Sequence, residues 1–479
     1  MASTQAVVGG GGGGASPPKL TGSFPTPPEL VDRVIEAVMP PITPGQDVSV
    51  LDPACGDGRF LVAAADHIAR HGGRPVVHGV DIDHVAVGAA TLAVAARRRR
   101  GPAMKATIEE GDALARDWGA TVFDVVVGNP PFLSQMASAT TRGRSSTRGG
   151  GPYADAAAEF LDLAVERARP DGGRVGLVLP QSILGSRDVQ HIRDAVDRRA
   201  AIVWSWWSPR KYFDAEVLVC ALGFRRHPDG HDGNSGASPD DRAPIWRDTV
   251  WSDVIVRSLG VPPLPAVDAS GAACDRVTFT ANFRDEYYGM VPGVDDHERG
   301  PLLITSGLID PNRCWWGQRP VTFNRRTFAR PRIDVTALSE RMQTWAARLS
   351  VPKVLIANQT RVIECVVDGD GSMLPGVPVV TGRLRGADAL ALDALAAVLS
   401  APYASAWAWR RAAGTGLSAR TVRVGPRLLA DLPWPAGSLD AAVDAWRHGD
   451  LTTSGQRVHV AYGISDDDAL VSWWRSLRP

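Results

Sequence analysis

The chain has 479 residues, 44% of them hydrophobic, which is enough for two or three domains with ordinary globular cores. Its 52 basic and 52 acidic residues cancel, yet only four of the cations are lysines (Lys19, Lys105, Lys211, Lys353), so nearly every positive charge is a planar guanidinium suited to phosphate and guanine. Five cysteines without a CxxC pair argue against a disulfide framework and a structural zinc site, the longest apolar run, Val85–Ala96, is too short to span a bilayer, and the glycines of 9–14 stand where a signal peptide would need an apolar core. The expectation is a cytoplasmic, monomeric protein with no membrane partner and no metal. Residues 1–20, rich in Gly, Ser and Pro, are expected to be disordered. From Pro27 the segment PPELVDRVIEAV sets Leu30, Val31, Val34, Ile35 and Val38 at helical spacing, with Thr26 placed to cap.

Strands and helices then alternate: DVSVL, a helix from Arg59, PVVHGV, a helix from Val85 to Arg98, VFDVVV, a helix from Ala156 to Arg169, GRVGLVLP and VLVCALGF. This order predicts a Rossmann-like α/β domain over 21–264, doubly wound around a mainly parallel sheet. Two polar gaps interrupt it. Ser138–Gly151 is a candidate mobile flap, and His227–Asp241 resembles a surface hairpin or linker. From residue 265 the spacing becomes irregular and rich in Trp and Pro, so a mixed α+β domain is expected over 265–437, with a tail over 438–479.

Within the first domain, VSVLDPACGDGRFLVAA reads as strand, acidic turn, glycine turn, helix. Gly56 and Gly58 let the backbone turn tightly and a ligand approach the helix start. The next strand ends in Asp81, where a carboxylate can accept both hydroxyls of a ribose, and GDAL puts Asp112 after a further strand, within reach of an adenine amine. Three acids at successive strand ends suit a nucleoside with a cationic attachment, which describes S-adenosylmethionine (SAM). A dinucleotide has little use for Asp52 and Asp57 beside its phosphates.

The strand VFDVVV runs into GNPPF. An aromatic amine is a poor nucleophile because its lone pair is delocalised into the ring. Asn129, through its side-chain carbonyl, and Pro130, through its backbone carbonyl, can accept the amine hydrogens and draw the nitrogen towards tetrahedral geometry. Pro130 and Pro131 stiffen that backbone, and Phe132 offers a face for a base to stack on.

The ordered set FPTPPELVDRV, DPACGDG, GVDID, GDAL, GNPPF and GRVGLVLPQSIL, over residues 24 to about 250, resembles the gamma-order N6-adenine DNA methyltransferases of restriction-modification type. The resemblance implies that Thr26, Asp52, Ala54, Gly56, Gly58, Asp81, Asp112 and Phe160 line the SAM pocket. It further implies that Asn129, Pro130, Pro131 and Phe132 are catalytic, and that Phe132 and Phe213 sandwich a flipped adenine, with Tyr212 as the alternative to Phe213. The carboxyl-terminal domain is then a target recognition domain for double-stranded DNA. RPVTFNRRTFARPR (319–332), with Arg319, Asn324, Arg325, Arg326 and Arg330, and the acid-free stretch 402–429, with Trp407, Trp409, Arg410, Arg411, Arg420, Arg423 and Arg427, are its candidate DNA contacts, Asn324 or Gln318 among the base readers.

The expectation is a chain that methylates adenine and does not cut DNA by itself, either beside a separate restriction nuclease or defence subunit or as an orphan enzyme. Two other classes stay open: an NPPF-type methyltransferase acting on an RNA guanine amine or a protein glutamine amide, and a non-catalytic DNA-binding subunit.

Overall fold

The computed structural model describes residues 25–132, 148, 155–212, 217–228, 251–385 and 391–478. The expected disordered terminus, most of Ser138–Gly151, Phe213 and most of 227–241 lie outside them. The chain divides into two compact units, Met1–Asp248 and Thr249–Pro479.

The first unit is built on a seven-stranded sheet of order β3-β2-β1-β4-β5-β7-β6. Its strands are β1 (Asp47–Asp52), β2 (Arg74–Asp81), β3 (Lys105–Glu110), β4 (Val125–Gly128), β5 (Arg174–Pro180), β6 (Ala200–Trp207) and β7 (Val219–Arg226). β3, β2, β1, β4 and β5 run parallel, whereas β7 lies antiparallel between β5 and β6. The sheet is doubly wound and mainly parallel, as expected, but AAIVWSWW adds the edge strand β6, which the sequence did not yield.

Helix α1 (Pro28–Val38) buries the five expected apolar residues, a burial of about 10 kcal/mol before entropy is charged against it. Glycine makes room for it: a Cβ on Gly176 of β5 would come within 2.8 Å of Val34 and 2.9 Å of Val38. Thr26 does not cap this helix. The N-cap is Pro27, with no side-chain capping bond, because the Thr26 hydroxyl is engaged elsewhere. Helices α2 (Arg59–Arg70), α3 (His84–Arg100), α4 (Ala156–Arg167) and α5 (Gln190–Asp197) complete the layers.

β4 begins later than VFDVVV suggests. Val122 is 38% exposed, Phe123 makes an isolated parallel bridge to Ala168, and continuous pairing starts at Val125. Asp124 fastens the approach to β4 onto β1, since both N–H and Oγ of Ser49 donate to its carboxylate at 2.8 and 2.7 Å. Against the opposing effect of burial, Ser49 and Arg169 hold Asp124 below the usual carboxylate range.

The second unit begins at Thr249, ahead of the expected 264/265 boundary, because Trp251, Ile255 and Val256 are core residues and Arg410 bonds Asp253 at 3.0 Å. It holds an antiparallel sheet of Val277–Ala281, Val379–Leu384, Lys353–Ala357 and Cys365–Asp368, with several small ribbons. Residues 438–479 are not a loose tail: Asp440–Arg447, Leu451–Ala461 and Asp468–Leu477 are helices that bury Trp446, Val458 and Trp474. No helix among the described residues is long and apolar enough to cross a membrane. All five cysteines are free, and the described residues contain no cluster of metal ligands.

Candidate active site

Parallel strands deliver their chemistry at their carboxyl ends, and those of β1, β2 and β4 lie side by side. At the end of β1 the Asp52 side chain is 1% exposed and accepts the N–H of Ala54 at 3.1 Å. Burial pushes its carboxyl well above the usual range, and the charges of Asp81 and Asp57 add to the shift. A cationic ligand beside it would favour the charged carboxylate against all three effects.

The two glycines of the turn serve different purposes. Gly56 sits at φ 54° with open space where a Cβ would stand, and its N–H donates to Asp81 Oδ2 at 2.8 Å. Gly58, at φ 80°, starts α2 and lets Ala90 of α3 approach, since a Cβ there would fall 3.0 Å from Ala90 Cα. The other oxygen of Asp81 accepts the N–H of Asp83, which itself caps α3 through Val85 N. Between these acids Ile82 is 72% exposed, an apolar side chain at a ligand-side strand end that the sequence reading passed over. Its only sequence signal was its position inside DID.

The end of β4 closes against the same turn. A Cβ on Gly128 would stand 2.6 Å from Asp52 Oδ1, so glycine alone lets the two strand ends meet. Directly after it, Asn129 Nδ2 donates to Thr26 Oγ1 at 3.0 Å, across 103 positions of sequence. Thr26 is 2% exposed, and the Arg59 guanidinium donates to its carbonyl while bonding Asp57. Despite burial, Arg59 holds Asp57 below the usual carboxylate range. The structure therefore brings Thr26, Asp52, Ala54, Gly56, Asp81 and Asn129 into one hydrogen-bonded neighbourhood with Gly128. Arg59 belongs to it as well, although sequence reasoning gave it no role.

The remaining candidates are placed individually. Pro130 is buried, Pro131 half-buried, and Phe132 is 5% exposed. Asp112 stands outside the network, its carboxylate closing a local turn through Leu114 N at 2.9 Å. Phe160 lies on α4, 8% exposed. Phe213 is outside the described residues. Its alternative, Tyr212, packs edge-on against Trp206 at 5.0 Å.

In the second unit, Val321–Phe323 and Arg326–Phe328 form a hairpin with Asn324 and Arg325 as its two-residue turn. Arg319 pairs with Asp310 at 3.1 Å and lies over Trp315, Arg326 pairs with Asp295 at 3.1 Å, and Arg330 lies over Trp316. Gln318 accepts a bond from Arg313 at 3.4 Å. Within 402–429, Trp407 and Trp409 are each 2% exposed in the core helix Pro402–Ala412, and Arg410 is held by Asp253 and the carbonyl of Pro262, so these three build the unit, whereas Arg411, Arg420, Arg423 and Arg427 are exposed.

Residues 15–218 match the family model described as N-6 DNA Methylase. A release factor glutamine methyltransferase from Moorella thermoacetica is 28% identical over 182 residues, 37% of this chain and 59% of the relative. Among solved structures, a type I restriction-modification methyltransferase subunit from Streptococcus thermophilus is similar at 21% identity and TM-score 0.35, over 43% of this chain and 45% of that one. The type IIG restriction endonuclease BpuSI is similar at 12% identity and TM-score 0.39, over 95% of this chain and 66% of that one. The chain thus spans less than two thirds of the curated relative and of the type I subunit. The strand order, the acid-lined glycine turn and the buried Asp52 fit SAM, a cationic nucleoside, as cofactor. The amino-terminal unit is a doubly wound α/β domain on a mainly parallel sheet, its strand-end site fits S-adenosylmethionine, and its residues 15–218 match the N-6 DNA Methylase model.

Proposed function

We propose that this protein transfers a methyl group to the N6 amine of an adenine flipped out of duplex DNA. The observation that carries the reading is the junction of β1 and β4, where the Asn129 amide, anchored by Thr26, emerges one residue after the glycine that touches Asp52. SAM, when bound, supplies an electrophilic methyl carbon on a sulfonium. The residues of the chain do the rest. Asn129 Oδ1 and the Pro130 carbonyl accept the two amine hydrogens, which returns lone-pair density to the nitrogen as it meets the methyl carbon. An amide is a weaker base than a carboxylate, and that suffices, because the proton leaves only after the nitrogen has become cationic. Phe132, with Phe213 or Tyr212, would hold the extruded base by stacking.

Thr26, Asp52, Ala54, Gly56, Gly58, Asp81, Asp112 and Phe160 are assigned to the cofactor, and Arg319, Asn324, Arg325, Arg326 and Arg330 to DNA. The family description and the arginine-rich hairpin support the DNA reading. On this reading the chain is the modifying component beside a restriction nuclease or phage-defence subunit. A second reading, methylation of a protein glutamine amide, is favoured by the Moorella relative alone, and a glutamine amide poses the same nitrogen problem.

The test is incubation of the purified protein with labelled SAM and unmethylated bacterial genomic DNA, in parallel with Asn129→Ala, followed by nucleoside analysis. N6-methyladenine made by wild type and reduced about 10²- to 10³-fold in the variant is expected, the usual consequence of removing one acceptor or donor at a reacting centre. Label that enters no DNA base but does enter a release factor would establish the second reading instead.

A further inference from the structure

The hairpin Val321–Phe328 divides its arginines into two classes. Val321, Phe323 and Phe328 are buried in the core of the second unit, and the Phe323 ring lies 4.7 Å from that of Tyr287, so the ribbon is anchored by one face. Its turn residues Asn324 and Arg325 have φ of 45° and 62°. Such a two-residue turn matches the twist of the flanking strands, and Asn-Gly is its inexpensive sequence, because only glycine takes the second left-handed position without strain. Arginine there is held against its own preference. The backbone is pinned by Tyr287, whose hydroxyl accepts the N–H of Asn324 at 2.9 Å, while the side chains of Asn324 and Arg325 make no hydrogen bond or ion pair with any described residue.

The arginines around the hairpin are fixed on aromatic rings instead. Trp315 lies between Arg313 and Arg319, their guanidinium carbons 3.4 and 4.1 Å from its ring centre. Trp316 is flanked by Arg330 and Arg332 at 5.3 and 4.8 Å, and its indole N–H is tied to the Pro331 carbonyl at 2.8 Å. Stacking spends the flat face of a guanidinium and sets its direction; Arg319 also spends its edge on Asp310 at 3.1 Å, whereas Arg313 and Arg332 each commit one edge nitrogen, to Gln318 at 3.4 Å and to the Gly300 carbonyl at 2.6 Å, and keep other N–H groups to donate.

We infer that the hairpin tip is the element that reads the DNA sequence, with Asn324 and Arg325 bonding base edges in the major groove, while the stacked Arg313, Arg330 and Arg332 grip phosphates. This inference rests on the DNA-methyltransferase reading above. Strained backbone that carries a functional side chain is a recurrent property of binding sites, and a two-stranded ribbon fits the major groove.

The decisive variant is Arg325→Gly in the full chain. Glycine relieves the left-handed strain, so the variant melts at or above the wild-type temperature. It should nonetheless lose about 5- to 150-fold in preference for its target over a site changed at one base pair, as expected on losing one bidentate base contact, with a salt dependence of duplex binding changed by no more than one phosphate. Arg313→Ala with Arg332→Ala should do the reverse, weakening all duplexes alike and lowering the salt slope by about two.

The readouts are the motif methylated in genomic DNA and fluorescence anisotropy on duplexes at several salt concentrations, with structured RNA as competitor. Wild type that methylates DNA while Arg325→Gly keeps the same motif and discrimination overturns the tip assignment alone. Wild type that binds RNA in preference to duplex, or modifies no DNA, overturns it together with the reading beneath it.

Discussion

Replacing Thr26 with valine preserves the shape of a side chain that is 2% exposed and removes the acceptor used by Asn129 Nδ2 at 3.0 Å. A neutral hydrogen bond is worth about 1 kcal/mol net, and stranding the buried amide N–H raises the loss to as much as about 3 kcal/mol. If that energy holds the amide in its reactive orientation, Thr26→Val lowers kcat by about 5- to 150-fold, short of the Asn129→Ala floor. Thr26→Ser restores the oxygen and most of the rate. In an Asn129→Ala background Thr26→Val costs little more, because the two residues then act as one unit. The assay is initial-rate transfer of labelled methyl groups to DNA, with SAM affinity measured separately by calorimetry. Turnover at the wild-type rate would refute the argument, and so would a rate loss matched by an equal loss of SAM affinity, which would make Thr26 a cofactor contact alone.

Gly128→Ala would put a Cβ 2.6 Å from Asp52 Oδ1, so either the carboxylate or the strand end must move. Overpacking of this kind costs about 1–3 kcal/mol of stability, and SAM affinity should fall at least about tenfold. Wild-type affinity by calorimetry would count against the contact. Glu364 in the second unit is pushed by burial from its ordinary 4.5 to about 7. Below pH 4.5 folded and unfolded chains are both protonated there. As pH rises from 4.5 through 7 the unfolded chain releases a proton that the folded one retains, so the stability contribution is lost, by at most about 3 kcal/mol. Glu364→Gln should flatten that decline in melts between pH 5 and 8, and an unchanged slope would mean the carboxyl is better solvated than its burial implies.

The elements most legible in the sequence were those with local causes. Five apolar residues at helical spacing specified α1, and β1, β2 and β5 were plain apolar runs bounded by turn residues. An apolar run does not encode direction, however, so the antiparallel insertion of β7 between β5 and β6 had no local signal. Thr26 shows a related limit. Its place before a Pro-started helix is the pattern of a cap, but a partner 103 residues away takes the hydroxyl. Gly128, which had no role evident from sequence, proved to be a steric necessity created by Asp52. In 402–429 the absence of acids suggested a nucleic-acid face, but the tryptophans fill the buried helix Pro402–Ala412 and only Arg411, Arg420, Arg423 and Arg427 of the residues singled out there are exposed. The boundary at 248/249 was hidden because the irregular, Trp- and Pro-rich spacing becomes plain only from residue 265, although Trp251 and Val256 already pack in the second unit.

The meeting of Asp52 and Gly128 also decides where the chain can tolerate insertions and deletions. β1 and β4 pair in parallel with Val50 opposite Val125 and Leu51 opposite Val126. One residue added to β4 would advance Asn129 by about 3.3 Å and send its side chain to the other face of the sheet, away from Thr26. Loops that follow the strands can lengthen or shorten without touching this alignment. Variation in length among homologous chains should therefore collect in those loops and spare 47–58 and 125–129.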